Sequence, residues 1–309
     1  MKELRNEELE SWPTLLSKHD ATIPRAPKNT LIPQYAPSKH TNHLYTTTAP
    51  SNLSMRILIT GSSDGLGLLT ARLLSPTHQI VLHARNPTRA THASQSCPQA
   101  HATVIGDLST LAGIRAFALE ADKHGPYDCI MHNAGLYLGP FRKTEDEMPA
   151  LVAVNTIAPY MLSCLMAKPE RLIFVSSQLH QGGDAELKDI TWRERGEGEW
   201  NAGQAYADSK LHNIMFAFAF ARHFGIACHS VDPGWVKTKM GGENAMDDLD
   251  AAVETFGMVA TGEGAAGRRE VGHWYQKRER EFREEAKDVE TQEKLLKILE
   301  GISGVKMPE

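Results

Sequence analysis

Tyr206 and Lys210 have the residue types and spacing for proton chemistry. A phenol with an ordinary pKa near ~10 neither gives nor takes a proton readily at neutral pH. A lysine four residues further on lies on the same face of a helix, where its ammonium favours the phenolate electrostatically. Such a pair suits delivery of a proton to an oxygen that is gaining negative charge. A second set of residues suggests a phosphate-bearing ligand. The segment TGSSDGLG at 60–67 follows the apolar run RILIT at 56–60 and opens a helical stretch. Gly61 permits a tight turn, Gly65 lets the backbone approach a phosphate, and Gly67 lets helix and strand pack closely. The amides and dipole of the new helix then face a pyrophosphate. Set between a strand and a helix, this loop reads as dinucleotide-binding rather than as an ordinary turn.

The elements that must position these groups are legible from Met55 onward. Short apolar runs, QIVLHA at 79–84, HATVIGD at 101–107, YDCIMH at 127–132, ERLIFVSS at 170–177 and GIACHSV at 225–231, join RILIT in alternating with longer stretches. Helices fit near 65–75, 87–96, 109–124, 144–167 and 203–224. Continuous apolar strands separated by amphipathic helices imply a parallel sheet covered on both faces. The expected class is therefore α/β, a doubly wound parallel sheet that binds ligands beyond the carboxyl ends of its strands. Residues 1–54 carry Pro13, Pro24, Pro27, Pro33, Pro37 and Pro50 with few apolar clusters, so they read as a poorly ordered extension. A short helix near 2–17 is the alternative there, and Met55 is a candidate functional start. Residues 55–309 then form one domain. Its glycine-rich part, about 235–262, reads as a mobile substrate loop. The charged tail KREREFREEAKDVETQEKLLK, with Glu279–Arg283 and Glu293–Lys297 spacings, reads as a solvated helix.

Further motifs occur in a fixed order. Asn133-Ala134-Gly135 follows the fourth strand, Asn155 lies in VNTIAP, Ser177 ends the fifth strand, and Tyr206 to Lys210 form Tyr-x-x-x-Lys. Asp232-Pro233-Gly234 follows the sixth strand, with Val236 and Thr238 behind it. Together with Gly-x-x-x-Gly-x-Gly, this set resembles the short-chain dehydrogenase/reductase family, in its short single-domain, retinol dehydrogenase-like branch. The resemblance spans residues 55 to about 240 and implies a Rossmann-type fold and hydride exchange between a nicotinamide cofactor and a carbonyl or alcohol. It implies Tyr206 as proton donor and acceptor, with Lys210 also bonding the nicotinamide ribose. Ser177, the second serine of its pair, would polarise the substrate oxygen, and Asn155 would hold a water between Lys210 and solvent. It assigns Gly61, Ser63, Gly65, Leu66, Gly67, Asn133, Ala134, Gly135, Pro233, Gly234, Val236 and Thr238 to the cofactor, with Asp107 and Leu108 flanking adenine. Singly, Tyr206 reads as a surface residue, Asn155 as a backbone-bonded helix polar group and Ser177 as a strand-end cap.

Cofactor choice is legible after the second strand. An acidic residue there accepts from the ribose hydroxyls of NAD, whereas an arginine pairs with the extra phosphate of NADP. The chain reads Ala84-Arg85-Asn86, so Arg85 with Asn86, joined by Arg89, favours NADP, and Asp64 in the glycine loop is discordant with that choice. The expected substrate is a small apolar carbonyl or alcohol, with reduction the expected direction. The stretch 178–203 is longer than a minimal crossover. Its Trp192 and Trp200 either join Trp235 and Met240 in an apolar lid or pack the insertion onto the body. The stripe of Phe216, Phe218, Phe220 and Phe224 reads as core or subunit interface.

Composition narrows the remaining classes. With 33 Lys and Arg against 38 Asp and Glu the formal charge is 33 − 38 = −5, giving no general attraction to nucleic acid. Cys97, Cys129, Cys164 and Cys228 are too scattered for a disulfide framework, and the 14 histidines lack ligand spacing, so no metal is expected. The start MKELRNEELE mixes charges where a leader needs an apolar run, and the apolar stretch Leu151 to Ala167 is interrupted by Asn155 and Pro159. The ending KMPE matches no retrieval or peroxisomal address. A cytoplasmic location is expected. Relatives pair through the helices holding Asn155 and Tyr206, which suggests a homodimer or tetramer, although the arm and tail could keep the chain monomeric. Two other readings share the cofactor fold. A cofactor-sensing regulator is expected to lack Tyr206 or Lys210, and a sugar-nucleotide epimerase to show Gly-x-x-Gly-x-x-Gly with a longer substrate domain.

Overall fold

The computed structural model describes Ser54–Pro308; the N-terminal extension read from the sequence, with its alternative helix near 2–17, lies outside these residues. Eight strands form one sheet in the order β3-β2-β1-β4-β5-β6-β7-β8. The strands are β1 (Arg56–Ile59), β2 (Gln79–Ala84), β3 (Ala102–Ile105), β4 (Cys129–His132), β5 (Arg171–Val175), β6 (Ala227–Val231), β7 (Val271–Tyr275) and β8 (Arg278–Glu279). All neighbours pair in parallel except β7 and β8. The sheet reverses its winding at β1, between β2 and β4, which opens a crevice at the carboxyl ends.

Helices cover both faces, as the apolar strands require. On one face α1 (Gly65–Leu74), α2 (Pro87–Ser96) and α7 (Leu249–Thr261) close over Ile57, Ile59, Ile80, Leu82 and Ile173. On the other, α3 (Leu111–Asp122), α5 (Ala158–Leu165), α6 (Ala202–Phe224) and α8 (Val289–Ser303) cover Leu58, Val81, Ile130, Leu172 and Phe174. A short α4 (Ala150–Val152) runs through a π turn, Ala153–Ile157, into α5. Asp64, Asn86, Thr110 and Asn201 cap α1, α2, α3 and α6, each side-chain oxygen accepting an orphan backbone N–H. Phe216 and Phe220 are fully buried against Tyr160 and Phe174, so this part of the stripe is core.

Two expectations after Gly234 are corrected. The stretch read as a mobile loop over about 235–262 is helical from Leu249 to Thr261. Asp248 caps that helix, and its Phe256, Val259 and Ala260 are fully buried. The glycine there is not a breaker, because Gly257 lets α7 approach α1: a Cβ at that position would lie 3.1 Å from Leu73. The charged tail is also more than a solvated helix. Glu279 lies in β8 and pairs with Arg269, while α8 buries Leu295, Leu296 and Leu299 against the body. Burying such side chains stabilises by roughly 1.5–3 kcal/mol each. Tyr160 Oη donates to the Val305 carbonyl at 2.7 Å, Arg115 donates to that of Ser303 at 2.7 Å, and Arg222 pairs with Glu293. The tail is thereby tied to α3, α5 and α6.

Candidate active site

Beyond the carboxyl ends of the strands lies a cleft of about 670 Å³. It is lined after β1 by Gly61, Ser63, Gly65, Leu66 and Gly67, after β2 by Arg85, and after β3 by Asp107 and Leu108. Asn133, Ala134 and Gly135 follow β4, Tyr206 and Lys210 come from α6, and Pro233 and Thr238 follow β6. The glycine loop is shaped as its residue types require. Gly61 has φ +65°, and a Cβ there would lie 2.7 Å from the Ala134 Cα, a backbone clash. Gly65 has φ +54° and nothing within 4 Å of the place a Cβ would take, leaving its backbone open to a ligand at the start of α1. A Cβ on Gly67 would collide with the Asn133 amide, which donates to the Thr60 carbonyl at 2.8 Å and holds the loop after β4 against the glycine loop.

His83 is the part of this cradle that pattern reading missed. It lines the cleft while 3% exposed. Its Nδ1 accepts the Gly61 N–H at 2.8 Å and its Nε2 lies 2.8 Å from the Gly106 carbonyl. Those partners require the neutral tautomer with the proton on Nε2, and burial pushes its pKa down to about 4. The ring thus clamps the ends of β1, β2 and β3. A histidine near the end of an otherwise apolar run was the available signal. Asp64, the discordant acid, is paired with Lys239 at 2.5 Å across the cleft. That hydrogen bond holds its carboxyl below the ordinary range, and the pair offsets its charge. Arg89, Arg142 and Lys143 also line the cleft, which is therefore richer in cations than the motifs alone suggest.

At the inner end, Tyr206 is 8% exposed, packed edge-on against Tyr137 at 4.7 Å. Burial raises its phenol pKa, opposed by a hydrogen bond with Ser177. Lys210 is 4% exposed, donates to the Val175 carbonyl at 2.9 Å and stands 5.1 Å from the Tyr206 ring centroid. Burial pushes its pKa down to about 8, against the field of Asp232. The two serines divide. Ser176 is buried and donates to the Lys210 carbonyl at 2.8 Å, whereas Ser177 accepts from the Leu179 amide at 3.2 Å and stays in reach of Tyr206. Asn155, in the π turn, exchanges hydrogen bonds with the Leu136 amide at 2.8 Å and carbonyl at 2.9 Å and donates to Ser209 at 3.2 Å. A Cβ on Gly135 would lie 3.6 Å from Asn155 Oδ1 and 3.7 Å from Lys210 Nζ. These two groups therefore flank one stretch of backbone. Single-turn π distortions of this kind frequently mark functional positions.

Three expected cofactor residues do not line the cleft. Asn86 spends its side chain on the N-cap of α2, accepting from Arg89 N at 3.0 Å. Val236 is buried and bridges to Asp247, and Gly234 takes φ +77° so that the Asp247 carboxylate can approach. Trp192 is 2% exposed, stacks under the Arg195 guanidinium at 3.6 Å and meets Trp200 at 4.8 Å. Trp200 in turn donates to the Gly139 carbonyl at 3.0 Å. These tryptophans fasten the insertion to the body.

Residues 55–186 match the sequence model of the short chain dehydrogenase family. The chain is 44% identical over 255 residues to short-chain dehydrogenase chyC of Penicillium rubens, covering 82% of this chain and 99% of that protein. It is 41% identical to short-chain dehydrogenase chry4 of Gibberella zeae over 82% and 98%. It is 29% identical to human retinol dehydrogenase 14 over 60% and 62%. Among solved structures, an uncharacterized protein of Mycobacterium paratuberculosis superposes with a TM-score of 0.70 at 22% identity, over 85% of this chain and 98% of that one. NADPH-bound carbonyl reductase from chicken fatty liver superposes at 0.52 with 21% identity, over 72% and 96%.

Proposed function

The chain belongs to the short-chain dehydrogenase/reductase family, and from that premise we propose that it is an NADP-dependent oxidoreductase interconverting a carbonyl and an alcohol on a small apolar molecule, acting as a reductase. The observation that carries this reading is that Tyr206 and Lys210 line one cleft with Arg85 and Arg89, while Ser177, outside the lining, stays in reach of Tyr206. When bound, the nicotinamide cofactor supplies the hydride. The open Gly65 backbone, the start of α1 and the volume of the cleft suit such a dinucleotide.

In this proposal Ser177 donates to the substrate oxygen, and Tyr206, held protonated by burial, gives its proton as charge grows on that oxygen. The Lys210 ammonium, seated over the Tyr206 ring, stabilises the phenolate left behind. Its donation to the Val175 carbonyl fixes it at the end of β5. Asn155 acts through Leu136, and its Oδ1 faces the same backbone as Lys210, where a relay water would sit. Exposed Leu138, Leu179 and Met240, from the loops after β4, β5 and β6, support an apolar substrate. Among the described residues no helix is long and apolar enough to cross a membrane; a cytoplasmic location is part of the proposal.

Two measurements bear on the cofactor and on assembly. Arg85→Ala should weaken NADPH binding by roughly tenfold or more, the ~1.5–3 kcal/mol of a charge-assisted hydrogen bond, and leave NADH binding almost unchanged. Paired fluorescence titrations read this, and equal losses for both cofactors would return Arg85 to a surface role. For assembly, α8 occupies the outer face of α5 and α6 that pairing would use. Static light scattering of the full chain should therefore give the mass of a monomer, and a dimer mass would refute the covering role of α8.

A further inference from the structure

Asp232, directly after β6, is a carboxylate 2% exposed that takes no part in the steps above. Its Oδ1 accepts from the Gly234 amide at 2.9 Å, and the Gln178 amide faces the same carboxylate. Its Oδ2 is paired with Arg280 Nη1 at 2.7 Å. These partners come from three separate segments. Gln178 is the residue after Ser177, Gly234 belongs to the loop that brings Pro233 and Thr238 to the cleft, and Arg280 follows the edge strand β8. Arg280 is braced in turn, its guanidinium 4.4 Å over the Tyr275 ring and its amide donating to the His273 carbonyl at 2.8 Å. Tyr275 Oη donates at 2.9 Å to Asp247, which also accepts from the Trp235 amide at 2.5 Å.

The groups facing Asp232 are Arg280 after β8, His180 in the turn after β5, Tyr275 on β7, and Tyr206 and Lys210 on α6. His273 stands behind, 5.3 Å from the His180 ring. A buried carboxylate in this position is costly without a counter-charge, and it opposes a neighbouring phenolate.

We propose that Asp232 and Arg280 are a positioning pair for the oxidoreductase site: the carboxylate fastens the Ser177–Gln178 turn to the loop after β6, and Arg280 offsets part of the field that Asp232 exerts on Tyr206 and Lys210. The pair rests on the function proposed above, in which Tyr206 exchanges a proton. Without Arg280, the uncompensated carboxylate disfavours the Tyr206 phenolate that alcohol oxidation needs as its base. Without Asp232, the uncompensated guanidinium favours it.

Three variants of the full chain separate this from a structural role. In R280Q the acidic limb of the pH profile for alcohol oxidation should move up by about one pH unit, in D232N it should move down, and in D232N/R280Q it should return close to wild type. NADPH affinity should change less than kcat. Aspartate γ-carboxyl carbon NMR reads the pair without turnover: the resonance lost in D232N should titrate at higher pH in R280Q than in wild type. Unmoved profiles, or a double variant that keeps the shift of R280Q, would overturn the proposal. If R280Q does not fold, the opposite shift of D232N and its reversal in the double variant decide the matter. A wild-type chain that oxidises no alcohol would refute the proposed function, and the NMR titration would still judge the pair, an unchanged Asp232 resonance in R280Q overturning it.

Discussion

Tyr206→Phe should reduce turnover by at least the roughly 100- to 10,000-fold that a positioned acid–base group supplies, while NADPH binding stays within about twofold. The physical reason is the burial of this phenol. Tyr206 is 8% exposed and packed against Tyr137, so loss of its hydroxyl leaves the ring in place and the cleft unaltered in shape. What disappears is the proton at the inner end of the cleft and the hydrogen bond with Ser177. Bulk water is poorly placed to substitute in so enclosed a position. Steady-state rates on a panel of ketones and aldehydes, with fluorescence titration of the cofactor alongside, test this directly. Turnover equal to wild type would remove Tyr206 from the mechanism. Weakened cofactor binding in step with turnover would instead make the residue part of the binding wall.

Acidification from pH 7 to 5 should unfold the chain or bring it close to unfolding, and the buried histidines are the cause. His83, His132, His212, His229 and His273 are all 3% exposed or less. Burial pushes their pKa values down to about 4 for His83 and His212 and about 3 for His132, His229 and His273. The sign follows from proton uptake. Between those values and ~6.5 the unfolded chain binds more protons than the folded one, so stability is full above ~6.5 and is lost as pH falls toward 4. At pH 5 the deficit is ~2 kcal/mol per ring, or ~10 for five, against a total stability of ~5–15 kcal/mol.

The contacts explain why the rings resist protonation. His83 Nδ1 already receives the Gly61 N–H, so a second proton would set N–H against N–H and break the glycine loop. His229 faces Trp274 Nε1 at 3.1 Å and Arg171 at 3.0 Å, donors on both sides. Urea midpoints at pH 7.5, 6 and 5 measure the effect. A midpoint unchanged at pH 5 would mean that these rings are solvated or already charged in the folded chain.

What the sequence by itself determined is the part of the protein governed by local rules. Strands β1, β2, β4, β5 and β6 were legible because each is a short, largely apolar run buried on both faces, β3 because it falls in the same alternation although its Ile105 is exposed, and α1, α2 and α6 because a cap and a helical period coincide. The glycine loop and the Tyr206–Lys210 spacing were legible because backbone freedom and helix period are local properties. Tertiary structure decided everything that depends on what a residue meets from afar. Gly257 looked like a breaker until α1 was seen to press against it, and the charged tail hid a stripe of leucines whose partner is α6. His83, the Asp64–Lys239 pair and the Asp232–Arg280 pair join residues 22 or more positions apart. Their meaning lies in burial and charge neighbourhood, which arise only when the sheet closes and water is removed from between its loops.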